Sequence, residues 1–193
     1  MADSPYLHFP DDYWQVEWRV NGIWNGILTY CFPHGVTEDN WIVAPEVYST
    51  WFNTNGYRAD LCVIALETND DHEYSLSDPI VTYEGKGGNS TKNWQQIGQQ
   101  ILNWCTDGVQ NYQPFYCWAI GTKGKFVTFY AFDGVNTLYP LGINAAGRIV
   151  KDANVNPQDI TDQGGWAFVN QVLTAIRNDP QLTAARIAND DFD

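Results

Sequence analysis

The sequence predicts a mixed α/β (α+β) single domain over residues 1–193, with a central mixed sheet flanked by helices. Three observations carry this. The stretch "YRADLCVIALE" at 57–67 is a nearly continuous apolar run, as expected of a strand covered on both faces. Two windows space their large apolar residues by three or four, the period of a helix that buries one face: Trp94, Ile97, Ile101 and Trp104, then Trp166, Val169, Val172 or Leu173, and Ile176. Finally, the windows follow one another as helix, three strands, helix, strands, helix, an order that suits helices packed on a sheet. With 44 % hydrophobic and 15 % aromatic residues, 193 residues suffice for a real core, and the composition is that of a folded chain.

Taken in order, residues 12–20 form a helix whose face holds Trp14 and Trp18; Gly22 and Gly26 weaken its continuation. Residues 33–39 are a loop. A strand covers 41–43, and Pro45 either stops it or marks an edge. "NTNG" at 53–56 signals a hairpin turn into the strand 57–67. "TNDDHEYSLSD" is a polar loop, and "PIVTYEGK" at 79–86 is the next strand. Ser90 or Thr91 caps the helix that follows. Strands at about 115–121 and 125–132 flank the turn "TKGK", "NTLYPLGI" adds a short strand, and a helix spans about 164–178. The acidic tail is expected to fray.

The formal net charge is −13, from 23 acids and 10 bases, and the stretch 57–130 is its least acidic part. Such a chain has no overall attraction for nucleic acid or an anionic membrane, so a polyanion must be met by a local basic patch or through bound cations. Arg58, Lys86, Lys92, Lys123 and Lys125 are the bases available for such a strip. The four cysteines are far apart and lack zinc spacing, which reads as free thiols, mostly buried. No basic n-region, signal-like apolar run or 18-residue apolar window occurs, so the expected setting is intracellular, cytoplasmic or nuclear, without a membrane. Three scattered histidines offer no nucleophile triad.

The chemistry concentrates at "EGK", residues 84–86. Glu84 and Lys86, two apart, point to one side of a strand. If the two strands pair antiparallel, Asp60 at the start of one lies beside Glu84 at the end of the other. Two close carboxylates repel unless a cation lies between them, and hard oxygen donors suit Mg²⁺ or Mn²⁺. Lys86 could then orient an attacking water or offset charge on a phosphate.

This pattern resembles the PD-(D/E)XK phosphodiesterase and nuclease superfamily, with its restriction-endonuclease-like fold: "RAD" at 58–60, then "EGK" at 84–86, then a helix. Ala59 stands where the family has proline. The resemblance covers about residues 41–132, a nuclease-like core to which a C-terminal helical segment at about 157–188 is added. It implies a metal-dependent nuclease hydrolysing phosphodiester bonds, with Mg (or Mn) as cofactor. Asp60, Glu84 and the Gly85 carbonyl become metal ligands, Lys86 the catalytic lysine, and Gln100 a helix residue facing the site, four before Trp104. A further glutamate from the first helix is implied, with Glu17 the leading candidate and Glu38 or Glu46 the alternatives.

Plainer readings stand beside these. Glu84 and Lys86 alone are an exposed ion pair worth a few tenths of a kcal/mol. Asp60 and Gln100 alone are surface residues, Trp94 and Trp104 core residues, and Gly87-Gly88 a turn. The strong acidity favours a catalytically silent nuclease-like fold that binds a protein partner or forms a homo-oligomer. An enzyme using the same acids and lysine as an acid–base set on another substrate is a third class.

Overall fold

Helical and strand periods become packing surfaces in the computed structural model, which describes residues 3–34, 40–49, 56–68, 74–111 and 115–193. A short 3-10 helix, Asp11–Gln15, leads into α1 (Glu17–Cys31). Then come β1 (Trp41–Tyr48), β2 (Arg58–Thr68), β3 (Tyr74–Lys86), α2 (Trp94–Asn111), β4 (Cys117–Lys123), β5 (Phe126–Phe132) and β6 (Leu138–Ile143). Two short strands, β7 (Ile149–Lys151) and β8 (Gln158–Asp159), precede α3 (Gln163–Asn178) and α4 (Ala184–Ala188).

The strands make one eight-stranded mixed sheet in the order β1-β2-β3-β4-β5-β6-β7, with β8 beside β5. Neighbours are antiparallel except β3 and β4, which run parallel. A parallel pair needs a crossover, and α2 supplies it. Because strand side chains alternate, β4 serves both faces: Trp118 and Ile120 join the layer of α1 and α3, while Cys117 and Ala119 join the layer of α2. One face buries Val20, Trp24 and Leu28 of α1 and Val169, Val172 and Ile176 of α3. The other buries Ile97, Ile101 and Trp104 of α2 against Cys62, Ile64 and Phe132. The chain is thus a single mixed α/β domain with its sheet sandwiched between helices.

Several boundaries differ from expectation. The first helix runs on to Cys31, past Gly22 and Gly26, because its apolar face has a sheet to bury against, and packing outweighs the weak glycines. Pro45 does not end β1: it pairs with Leu61 on an edge strand, where a missing amide is harmless. The loop expected at 68–78 is strand from Tyr74, because Leu76, Ser75 and Tyr74 find partners on β2. Asn93, not Ser90 or Thr91, caps α2: its Oδ1 accepts from the Gln96 amide at 2.9 Å, and Gln96 Oε1 accepts from the Asn93 amide at 2.9 Å. The β4–β5 turn is shorter than "TKGK", because Thr122 and Lys123 pair with Val127 and Phe126. Residues 53–55 of the expected hairpin turn and 35–39 of the expected loop lie outside the described residues.

The tail is docked rather than frayed. Phe192 is fully buried, edge-on to Trp118 with ring centroids 5.8 Å apart. Asp193 accepts from the Ile149 amide at 3.0 Å and from Arg148 Nε at 3.1 Å, and Asp190 meets Lys151 at 3.4 Å. So the charge run at the terminus is partly paired rather than fully solvated. All four cysteines are free, Cys31 half-buried and the rest buried. Among the described residues no helix is long and apolar enough to cross a membrane.

Candidate active site

The site forms where the start of β2 meets the end of β3. The antiparallel register sets Leu61 opposite Tyr83, so the next residues outward are Asp60 and Glu84. The Gly85 amide donates to Asp60 Oδ2 at 2.9 Å, which locks the aspartate to the neighbouring strand. Lys86 Nζ lies 2.7 Å from Glu84 Oε1 and 3.3 Å from Glu17 Oε1. Glu17 is the first residue of α1, so a helix start and two strand ends converge on one ammonium group. The Glu84 and Lys86 side chains are only 7 % and 11 % exposed, whereas Glu17 is half-exposed at 49 %. A surface ion pair, the plainer expectation for Glu84 and Lys86, is therefore excluded by their burial.

Burial pushes the Glu84 carboxyl up to about 7, and the Asp60 charge pushes the same way. The hydrogen bond and charge of Lys86 pull it back, and Glu17 raises it slightly further. Burial works against the Lys86 ammonium, but the Glu84 hydrogen bond and the charges of Glu84, Asp60 and Glu17 outweigh it, so Lys86 stays protonated. Three carboxylates face one ammonium, a set with negative charge left over when all ionise.

A second set of residues holds this edge from behind. The Tyr83 hydroxyl donates to Asn21 Oδ1 at 3.1 Å and shares a 2.8 Å hydrogen bond with Thr122 Oγ1. Full burial raises the Tyr83 hydroxyl well above its ordinary value, so it remains a neutral donor. Gly85 has no alternative at this point, because a Cβ there would run into Asn21 Oδ1 and the Tyr83 hydroxyl. Nor has Gly87, whose Cβ would run into the Gln15 carbonyl, close to the Glu17 amide. The contact at Gly87 is with backbone, so Gly87→Ala must shift the Gln15–Glu17 junction. We expect it to destabilise the chain by about 1–3 kcal/mol in urea unfolding. It should also separate Glu17 from Lys86, read as a changed pH dependence of that unfolding.

Asp60, Glu84, Gly85, Lys86 and Glu17 thus come together as the motif implied. Glu46 does not join them: it pairs with Arg58 at 3.2 Å on β1. Glu38 lies outside the described residues. Gln100 is half-buried on α2 with its Oε1 buried and unpartnered, and it makes no hydrogen bond to the cluster. Asn21, Tyr83 and Thr122 were not singled out from sequence. Two of the three carried a signal: Asn21 follows Glu17 by one helical turn, and Tyr83 shares with Gly85 the strand side opposite Glu84.

Among the described residues no three His, Cys, Asp or Glu side chains group closely enough to enclose a metal ion. Mg²⁺ does not need such a cage, since it is commonly held by one or two carboxylates with several waters retained. The buried Glu84 beside Asp60, with excess negative charge, is a donor set that fits a hard divalent cation. The expected basic strip is largely consumed. Arg58 serves Glu46, Lys86 serves the cluster, and Lys125 pairs with Asp159 at 3.0 Å. Lys123 donates to the Lys92 carbonyl at 2.8 Å, so it and Lys92 have no carboxylate in reach among the described residues.

No family model, curated protein or solved structure matches the chain.

Proposed function

We propose that the chain is a metal-dependent phosphodiester hydrolase acting on nucleic acid, with a nuclease-like site of the PD-(D/E)XK kind. The observation that carries the reading is the convergence of Asp60, Glu84 and Lys86 with Glu17 at one sheet edge. A bound Mg²⁺ or Mn²⁺ would acidify a water and offset charge on a phosphate oxygen. Asp60 and Glu84 would hold that ion, with the Gly85 carbonyl completing the protein's share. Asp60 is pre-oriented for this by the Gly85 amide. Lys86, held cationic, presents ammonium hydrogens where charge builds on a phosphoryl group or a water is aligned. Gly85 and the Tyr83–Asn21–Thr122 set keep the strand end from relaxing.

The test uses end-labelled single- and double-stranded DNA and RNA with Mg²⁺ or Mn²⁺. Cleavage is expected to depend on the metal, and Lys86→Ala and the Asp60→Ala, Glu84→Ala double variant should lose it by about 100-fold or more. Circular dichroism checks that each variant is folded. Equal cleavage by the double variant and the parent overturns the reading.

A second reading, a catalytically silent fold that binds a protein or a second copy of itself, is favoured by two observations. Lys86 already closes on both Glu84 and Glu17, and the net charge is −13. It predicts no cleavage under any metal and partner binding untouched by Lys86→Ala.

A further inference from the structure

One step along the sheet from Lys86 the surface sinks into a cavity of about 370 Å³, within the size range of small-ligand sites. In the parallel β3–β4 pair Lys86 stands level with Lys123. The Gly124 amide donates to the Lys86 carbonyl at 2.8 Å, and the Gly88 amide to the Trp14 carbonyl at 2.8 Å. Gly88 and Gly124 line the cavity, so its wall is the backbone that directly follows the proposed catalytic lysine.

Three aromatic residues also line it, Trp94 and Phe126 with exposed surface and Trp14 with its side chain buried behind. Trp94 is half-buried and Phe126 is 40 % exposed, so ring surface remains open to a ligand. Trp14 is 2 % exposed, and its indole Nε1 is buried without a hydrogen-bond partner. At the rim Lys125 is paired with Asp159 and Asp11, whereas Lys123 donates to the Lys92 carbonyl and has no carboxylate partner among the described residues. The walls thus offer two partly exposed aromatic rings and one cation with no carboxylate partner among the described residues. A nucleobase carrying a phosphate combines the matching features: a π face and one anion.

We propose that this cavity holds one unpaired nucleobase, with its phosphate at Lys123, so that the strand cut at Asp60 and Glu84 is single-stranded or locally unpaired. This rests on the nuclease reading above and names its substrate. A base stacked in a duplex cannot present its faces to such a cavity and must leave the stack first. The mode also suits an acidic chain, because stacking needs no basic footprint. With one lysine engaged, log K against log salt should fall with a slope of about −1 or shallower.

The experiment separates the two readings. Binding is measured on the Glu84→Gln chain in EDTA, by anisotropy of a labelled single-stranded pentanucleotide, its analogue with a central abasic position, a matching duplex and free AMP. The intact pentanucleotide should bind about 10-fold or more tightly than the abasic analogue or the duplex. It should also bind more tightly than AMP, which points to a strand rather than a free nucleotide. Trp94→Ala should remove the preference for the intact base, and Lys123→Ala should weaken binding several-fold while leaving that preference. Equal binding of intact and abasic strands, or a preference unchanged in Trp94→Ala, overturns the subsite. Tighter binding of AMP than of the pentanucleotide overturns it as well. If base-dependent strand binding holds but the parent cleaves nothing with Mg²⁺ or Mn²⁺, the hydrolase reading falls and the base site stands. If the parent cleaves duplex and single strand alike, and Trp94→Ala leaves KM unchanged, the base site falls and the hydrolase stands.

Discussion

Glu84→Gln is expected to make the chain more stable at pH 8 while abolishing the metal-dependent cleavage proposed above. The folded-state carboxyl titrates at about 7, against an ordinary value of 4.5. Below pH 4.5 both folded and unfolded chains carry the proton, and Glu84 contributes nothing. As pH rises from 4.5 to 7 the unfolded chain ionises and the folded chain resists, so stability is lost through that window. Above pH 7 the whole penalty is present, on the order of 3 kcal/mol from that difference at about 1.4 kcal/mol per pH unit. An amide escapes the penalty and can still accept from Lys86. Urea unfolding at pH 8 should therefore favour Glu84→Gln by about 1–3 kcal/mol, and the gap should close near pH 4.5. Added Mg²⁺ should narrow it too, by stabilising only the parent. A variant less stable than the parent at pH 8 would show that Glu84 is a structural partner of Lys86 rather than a carboxylate held ready for a cation.

Phe192→Ala is expected to cost about 3–5 kcal/mol, the range for emptying a fully buried aromatic site. The ring packs edge-on against Trp118, a residue of the central strand β4, itself fully buried. Around it Asp193 is tied to Ile149 and Arg148, and Asp190 to Lys151, so the loss would loosen β7 as well. The urea midpoint measures the effect, and hydrogen exchange of the Ile149 and Lys151 amides locates it. A change below about 1 kcal/mol would mean the tail contributes little to the core.

Legibility in the sequence followed the range of each signal. The strand 57–67 and the helices near 94–104 and 164–178 announced themselves through local periodicity, and the sheet built on them was read correctly in class. Asp60, Glu84 and Lys86 were legible because a spacing along two adjacent strands fixes their meeting. Glu17 could be ranked above Glu38 and Glu46 only by its place on the first helix; the 3.3 Å contact to Lys86 places it at the cluster. Gln100 shows the opposite limit: one residue more or less on a helix decides which face a side chain takes, and among the described residues no hydrogen bond ties it to the acids. The docking of Phe192 depends on a partner 74 positions away, Trp118, and no local pattern records such a pairing. The strand Tyr74–Asp78 was hidden for the same reason, since its polar composition gains strand form only from its partner on β2.

The outer strand β1 has a consequence for how copies of this chain can meet. Pro45 contributes no amide, and the next residue, Glu46, takes a left-handed backbone at φ 53°. An incoming strand would therefore find the row of donors interrupted and the backbone turned away. At the far side of the sheet β7 offers only three residues. Growth of the sheet from one molecule into the next is thus discouraged at both rims, a safeguard against fibril templating in a chain whose strands are this apolar.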